Sequence, residues 1–120
     1  MRRLTVEVTT AADGSATAYT PRFSGVIQQI EYVKKDFADG VDFAITGEVT
    51  GVNLWTEQNV NASATRAPRQ PVHSPAGAAL LYAAGGTALA DKIGIGNDRV
   101  KITIAQGGNA KSGKFFILVD

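Results

Sequence analysis

Apolar residues in this chain recur at every second position, in short runs separated by glycine pairs and Asx-Gly turns, and hardly anywhere at the spacing of a helix. Period two puts alternate side chains on opposite faces of an extended strand, so the pattern commits most of the chain to half-buried β-structure. Leu4, Val6 and Val8 point one way, and Thr5, Glu7 and Thr9 the other. Asp13-Gly14 is a tight-turn pair, and Thr17 and Tyr19 share a face after it, so the first two strands are expected to form a hairpin. A long strand follows over Val26 to Val33, Asp39-Gly40 turns the chain, and Val41, Phe43 and Ile45 begin the next face. Gly47 and Gly51 mark bends before Val52 and Leu54.

The alternation stops between Glu57 and Ala76, where EQNVNASATRAPRQPVHSPA is polar and Pro68, Pro71 and Pro75 forbid a helix. A stretch this long without pattern reads as an extended Pro-rich loop or arm. For 78–84 the small residues leave strand and helix equally open. Ile93 and Ile95 resume the alternation, Gly96-Asn97-Asp98 turns, and Val100, Ile102 and Ile104 share a face. GGNAKSG then reads as a hairpin loop leading into Lys114 to Val119, whose Phe115, Ile117, Val119, Phe116 and Leu118 imply burial on both faces. The expected fold is all-β: an antiparallel β-sandwich or jelly roll of seven to eight short strands, one domain over 1–120, with one long Pro-rich loop at 57–76. A small open barrel is the alternative.

Composition narrows the chemistry. There is no Cys, so thiolate metal sites and Cys nucleophiles are excluded, and 12 Lys plus Arg balance 11 Asp plus Glu, spread along the chain with one local basic cluster. That balance gives no electrostatic footprint for nucleic acid or an anionic membrane. The apolar run Ala76 to Ala90 is broken by glycines and is too short to span a bilayer, and no cleavable signal is visible in Met1 to Thr10. The expectation is a chain made in the cytoplasm, without direct nucleic-acid or membrane contact.

Catalytic and cofactor motifs are fragmentary. Gly108 to Lys114 has the spacing of a phosphate-binding loop, but Phe115 stands where a Ser or Thr would hold magnesium and a strand follows where a helix is needed. Gly94-Ile95-Gly96 lacks the third glycine of a dinucleotide fingerprint, with Arg99 in its place. Asp36, Asp39 and Asp42 offer oxygen ligands around Gly40, in a spacing that fits a solvated turn better than a calcium loop. His73 is the sole imidazole, and neither Ser63 nor Ser74 beside it lies in a nucleophile elbow. The chain is therefore expected to be non-enzymatic and to need no cofactor. Its one local basic cluster, Arg66, Arg69 and His73, is interleaved with Pro68, Pro71 and Pro75. Proline lowers the entropy lost on docking and arginine forks onto carboxylates, so Arg66, Pro68, Arg69, Pro71 and His73 are the candidate partner-contact arm. The first strand, with Arg2 and Arg3, is a second candidate, since an edge strand can extend a neighbour's sheet. Trp55, Phe23 and Tyr82 are core residues or exposed anchors.

The segments DFADGVDFAITGE, NVNASATRAPRQPVH, LYAAGGTALADKI and NDRVKITIAQGGNAKSGKFFILV give the chain a further reading. In their order, with the RAPR loop and the ITIAQGGNAKSG stretch, it resembles small structural proteins encoded among the head and neck genes of tailed bacteriophages. The resemblance implies a virion component assembled in the host cytoplasm, expected to be a homo-oligomer. It implies in particular a capsid decoration or cement protein bridging major capsid subunits or neighbouring virion proteins. A ring protein of the head-to-tail neck is the alternative, and a carbohydrate- or receptor-binding module on the virion surface is a third.

Overall fold

Val, Ile, Phe and Thr at alternating positions favour extended backbone, and the alternation is realised in ten strands with no helix. The computed structural model describes all 120 residues. The strands are β1 (Arg2–Thr9), β2 (Ala16–Tyr19), β3 (Phe23–Lys34), β4 (Val41–Gly47) and β5 (Asn53–Val60), then β6 (Ala64–Arg66), β7 (Arg69–Pro71), β8 (Ala90–Asp98), β9 (Val100–Ala105) and β10 (Ser112–Val119). Sheet I has the order β1-β10-β3-β8-β7, with β6 also paired to β3, and sheet II the order β2-β9-β4-β5. Every pairing is antiparallel.

Pairing in the body is nested. β4 pairs with β5, β3 with β8, β2 with β9 and β1 with β10, so the body is one long antiparallel hairpin rolled up until alternate pairs fall in opposite sheets. The expected β1–β2 hairpin is accordingly absent. Asp13-Gly14 does make a tight turn, with the Gly14 amide donating to Ala11 O at 3.0 Å, but it hands the chain from sheet I to sheet II. The loop before β10 behaves likewise, since β9 and β10 lie in different sheets and do not pair. A turn dipeptide reverses the chain equally well within a sheet or between two, and only the burial partners decide which.

The inward faces of both sheets meet in one core of 21 buried residues. Val6, Val8, Ile27, Ile30, Tyr32, Ile93, Ile95, Phe115, Ile117 and Val119 come from sheet I, and Val41, Phe43, Ile45, Leu54, Trp55, Val60, Val100, Ile102 and Ile104 from sheet II. Phe23 and Trp55 are thus core residues, whereas Tyr82 lies outside. Phe116 and Leu118, expected to be buried, are only half so: they face outward on sheet I, where the Arg3 guanidinium lies 4.9 Å and the Lys114 ammonium 5.7 Å from the Phe116 ring centroid. The glycine-rich loop before β10 is welded to its surroundings. Thr10 Oγ1 accepts the Lys111 amide at 2.9 Å, and the Gly107 amide donates to Gly14 O at 2.9 Å. A second buried polar knot fixes the β4–β5 turn, where the Asp98 carboxylate accepts the amides of Arg99 at 2.7 Å and Val49 at 3.2 Å.

Tyr32 is fully buried, and its hydroxyl has no hydrogen-bond partner in the protein. An unpartnered buried hydroxyl costs on the order of 1–3 kcal/mol, so Tyr32→Phe should be neutral to stabilising by about 1 kcal/mol in chemical denaturation. Burial, with a smaller contribution from the Asp39 carboxylate, raises the Tyr32 pKa above its ordinary value of 10.0. In alkali the unfolded chain therefore loses this proton before the native one does, and stability falls as pH rises above 10. That part of the alkaline slope should disappear in Tyr32→Phe. A variant with an unchanged slope and lower stability would overturn the assignment.

Candidate functional site

The segment expected to be a loop at 57–76 is partly strand. β5 runs on to Val60, β6 adds to the edge of β3 through Ile30↔Arg66 and Tyr32↔Ala64, and β7 pairs with β8. What projects from the body comes after it. Arg69↔Lys92, Gln70↔Asp91 and Pro71↔Ala90 form a stalk at the edge of sheet I, and beyond the stalk the chain forks. Val72, Leu80 and Leu89 meet at the fork. The Val72 amide donates to Leu89 O at 3.0 Å, the Leu80 amide to Val72 O at 3.0 Å and the Leu89 amide to Leu80 O at 2.9 Å.

Two small hairpins grow from this junction. In the first, Ser74-Pro75-Ala76-Gly77 places Pro where φ near −65° is wanted and Gly77, at φ 86°, where a left-handed residue closes the loop. In the second, Ala83 to Gly86 turns with Gly85 at φ 70° and is closed by the Tyr82 amide donating to Thr87 O at 2.9 Å. The run 78–84 is neither helix nor regular strand. It is held by single bridges, Ala79 to His73 and Leu81 to Ala88.

No residue from Arg69 to Lys92 is buried, and Val72, Ser74 and Ala88 are the half-buried ones. Leu80, Leu81 and Leu89 are about two-fifths exposed and Tyr82 is 84% exposed. Between Arg69 and Asp91 there is no Lys, Arg, Asp or Glu. The projection lengthens the molecule to 49 × 30 × 22 Å and its radius of gyration to 15.6 Å. A compact chain of this length would have about 13–14 Å.

The candidate contact residues divide between the root of this arm and its stalk. Arg66 is folded back on the body: Nη2 donates to both carboxylate oxygens of Glu57 at 3.0 and 3.1 Å, and the guanidinium stacks 5.3 Å from the centroid of Trp55. Glu57 also accepts the Trp55 indole N–H at 3.0 Å. Pro68 is buried, and Arg69 Nη1 donates to Pro68 O at 2.8 Å and Gln28 O at 3.3 Å. Pro71 and His73 stand exposed on the stalk and at the fork. Arg66, Pro68 and Arg69 therefore lock the root, and the part that reaches out is Val72 to Leu89. Arg2 and Arg3 lie on β1, at the opposite edge of sheet I from β7, so the two candidate groups are not brought together.

The remaining candidates have other employment. Ser63 Oγ accepts the Lys34 amide at 2.9 Å, and Ser74 Oγ accepts the Ala78 amide at 3.3 Å. Asp36 accepts the Ser112 amide, Asp39 pairs with Lys34, and Asp42 accepts the Asn59 amide and the Gln106 side-chain amide. No group of three or more His, Cys, Asp and Glu residues is placed to hold a metal ion.

A single hollow of about 230 Å³ opens on the body. It lies on the outer face of sheet II, lined by Asp42, Ala44, Thr56, Glu57, Thr103 and Ala105 among others. Leu80, Leu81 and Leu89 were not legible as surface residues, because period cannot separate a buried Ala-rich run from an exposed one, and of the two readings open for Tyr82 the structure takes the exposed one. The signal that was present is the charge-free interval between Arg69 and Asp91. No protein-family model matches the chain, and no curated protein is significantly similar to it.

Proposed function

We propose that this chain is a non-enzymatic structural protein of a tailed-bacteriophage virion, a jelly-roll β-sandwich that decorates the shell and bridges major capsid subunits as a cement. The observation that carries the reading is the arm. Some twenty residues ordered without a core of their own cost about 1–2 kcal/mol each in backbone entropy, which isolated short hairpins offset only marginally. Such an element gains its stability, and its use, from a neighbour. An apolar, charge-free projection carrying an exposed tyrosine has the composition of an interface core.

The nested pairing of eight body strands across two facing sheets supports the jelly-roll part, a fold common among capsid proteins. The phage-like segments support the virion part. Hundreds of equivalent sites on a shell multiply a modest interface through effective concentration.

A ring protein of the head-to-tail neck is the second reading, favoured by the arm being one-sided: a projection that meets a different surface on its neighbour joins copies head to tail. Copy number separates the two. Quantified against the major capsid protein in purified particles, a decoration protein is expected in the hundreds, and a ring of cyclic symmetry at about six to twelve copies. Absence from particles would sink the virion reading. Replacing 72–89 by a short Gly-Ser turn removes no buried residue. That variant should stay folded, with particle occupancy reduced at least about tenfold through lost avidity.

A further inference from the structure

The chain carries a knob and a hollow that suit one another, and its own knob is not in its own hollow. Tyr82, 84% exposed, stands at the head of the second hairpin of the arm, beside Leu81. The hollow lies on the outer face of the other sheet, where Thr17, Thr103, Ala44 and Thr56 are in register across all four strands of sheet II. That row is uncharged, like the arm. The outer face of sheet I is its opposite: Arg3 and Lys114 cover Phe116, and Glu7 pairs with Lys114 and Lys35. On the sheet II face an arm without charge meets an uncharged row flanked by Asp42 and Glu57, whose carboxylates already accept hydrogen bonds within the chain, whereas on sheet I it would have to strip solvent from these ions.

Size makes the same choice. Small-molecule pockets run to about 300–1,000 Å³, so a hollow of about 230 Å³ is small for a ligand and suits one large side chain. Tyrosine fits its chemistry as well. Phe43, Ala44 and Ala105 give its lining apolar surface, and Asp42 and Glu57 bring carboxylates to the same hollow. The ring would meet apolar surface while the phenol donates to a carboxylate.

We propose that the arm docks on a second copy of this chain, with Tyr82 entering the sheet II hollow and Leu81 packing beside it. The contact is heterologous, arm to sheet, so each copy both gives and receives, and assembly closes into a ring or runs on as a chain. Self-association uses only surfaces of this protein and does not depend on the virion reading.

The test is sedimentation velocity on the purified full-length protein, from about 1 μM to about 1 mM, with the variants Tyr82→Asp, which spoils the knob, and Ala44→Arg, which fills the hollow. The wild type should form oligomers, and each variant should associate at least about tenfold more weakly. Mixed together, the two variants retain one good arm and one good hollow between them, so they should form a 1:1 dimer and stop there. Thr103→Arg repeats the block on an exposed position should Ala44→Arg fail to fold, as judged by circular dichroism. A wild type that stays monomeric throughout, a Tyr82→Asp protein that assembles like the wild type, or a mixture that forms no heterodimer would each overturn the proposal. Self-association without copies on particles would remove the virion reading alone, and particle copies of a protein that is monomeric in solution would remove this one alone.

Discussion

Phe43→Ala is expected to destabilise the protein by about 3–5 kcal/mol, a large part of the roughly 5–15 kcal/mol that holds a domain folded. Phe43 belongs to sheet II and is 2% exposed, but two of its neighbours belong to sheet I. Its ring lies 5.3 Å from Phe115 at 83° and 5.3 Å from Tyr32 at 52°, and it meets Trp55 of its own sheet at 4.8 Å and 88°. Edge-on and tilted pairs of this kind add about 0.5–1.5 kcal/mol each to the burial term. Truncation therefore removes two ring contacts between the sheets and leaves a cavity walled by aromatic rings. Thermal unfolding should shift down on the order of 10–25 °C, whereas a loss of only a few degrees would mean that the sheets are held together elsewhere.

Gly113→Ala should rank with it, for the opposite reason. Gly113 sits in β10 between Val8 of β1 and Lys34 of β3, and a β-carbon there would fall 2.3 to 2.8 Å from three carbons of the Phe37 ring. Phe37 is 2% exposed and stacked on Tyr32 at 6.2 Å, so it has no room to withdraw. Overpacking of this kind costs about 1–3 kcal/mol and more where the neighbour cannot move, and Gly113→Val should prevent folding at 37 °C. Phe37→Leu should recover part of the loss when combined with Gly113→Ala. Strict additivity in the double-mutant cycle would show that Phe37 is not what the methyl group strikes.

Both predictions concern positions whose weight the sequence conceals. Phe43 reads as one more inward residue of an alternating strand, and Gly113 as one of the glycines of a loop. The alternation itself is reliable because it reports burial directly: Val6 and Val8, Phe43 and Ile45, Ile102 and Ile104 all face the core as their spacing requires. Turn chemistry is reliable only about where the chain reverses. Asp13-Gly14 and the GGNAKSG loop both reverse it, and both cross between the sheets where a hairpin was expected. The Pro-rich cluster did not reveal how its members divide: Arg66 and Arg69 are engaged with Glu57, Trp55 and Gln28 on the body, whereas Pro71 and His73 stand exposed at the base of the projection.

What the sequence by itself determined is therefore the class of structure and the side each strand residue takes, because period two ties side-chain direction to local backbone geometry without reference to the rest of the fold. Chemistry at the level of residue types was equally local: without Cys, no disulfide or thiolate site was open to it. Only the tertiary structure decided that β1 pairs with β10 and β2 with β9, because those partners are about a hundred and about eighty residues apart and are chosen by a common core, through no preference of either segment alone. It also decided that Leu80, Leu81 and Tyr82 lie outside. A hydrophobic side chain is buried only if the body has a face left to cover it, and here both sheets had already spent their inner faces on each other.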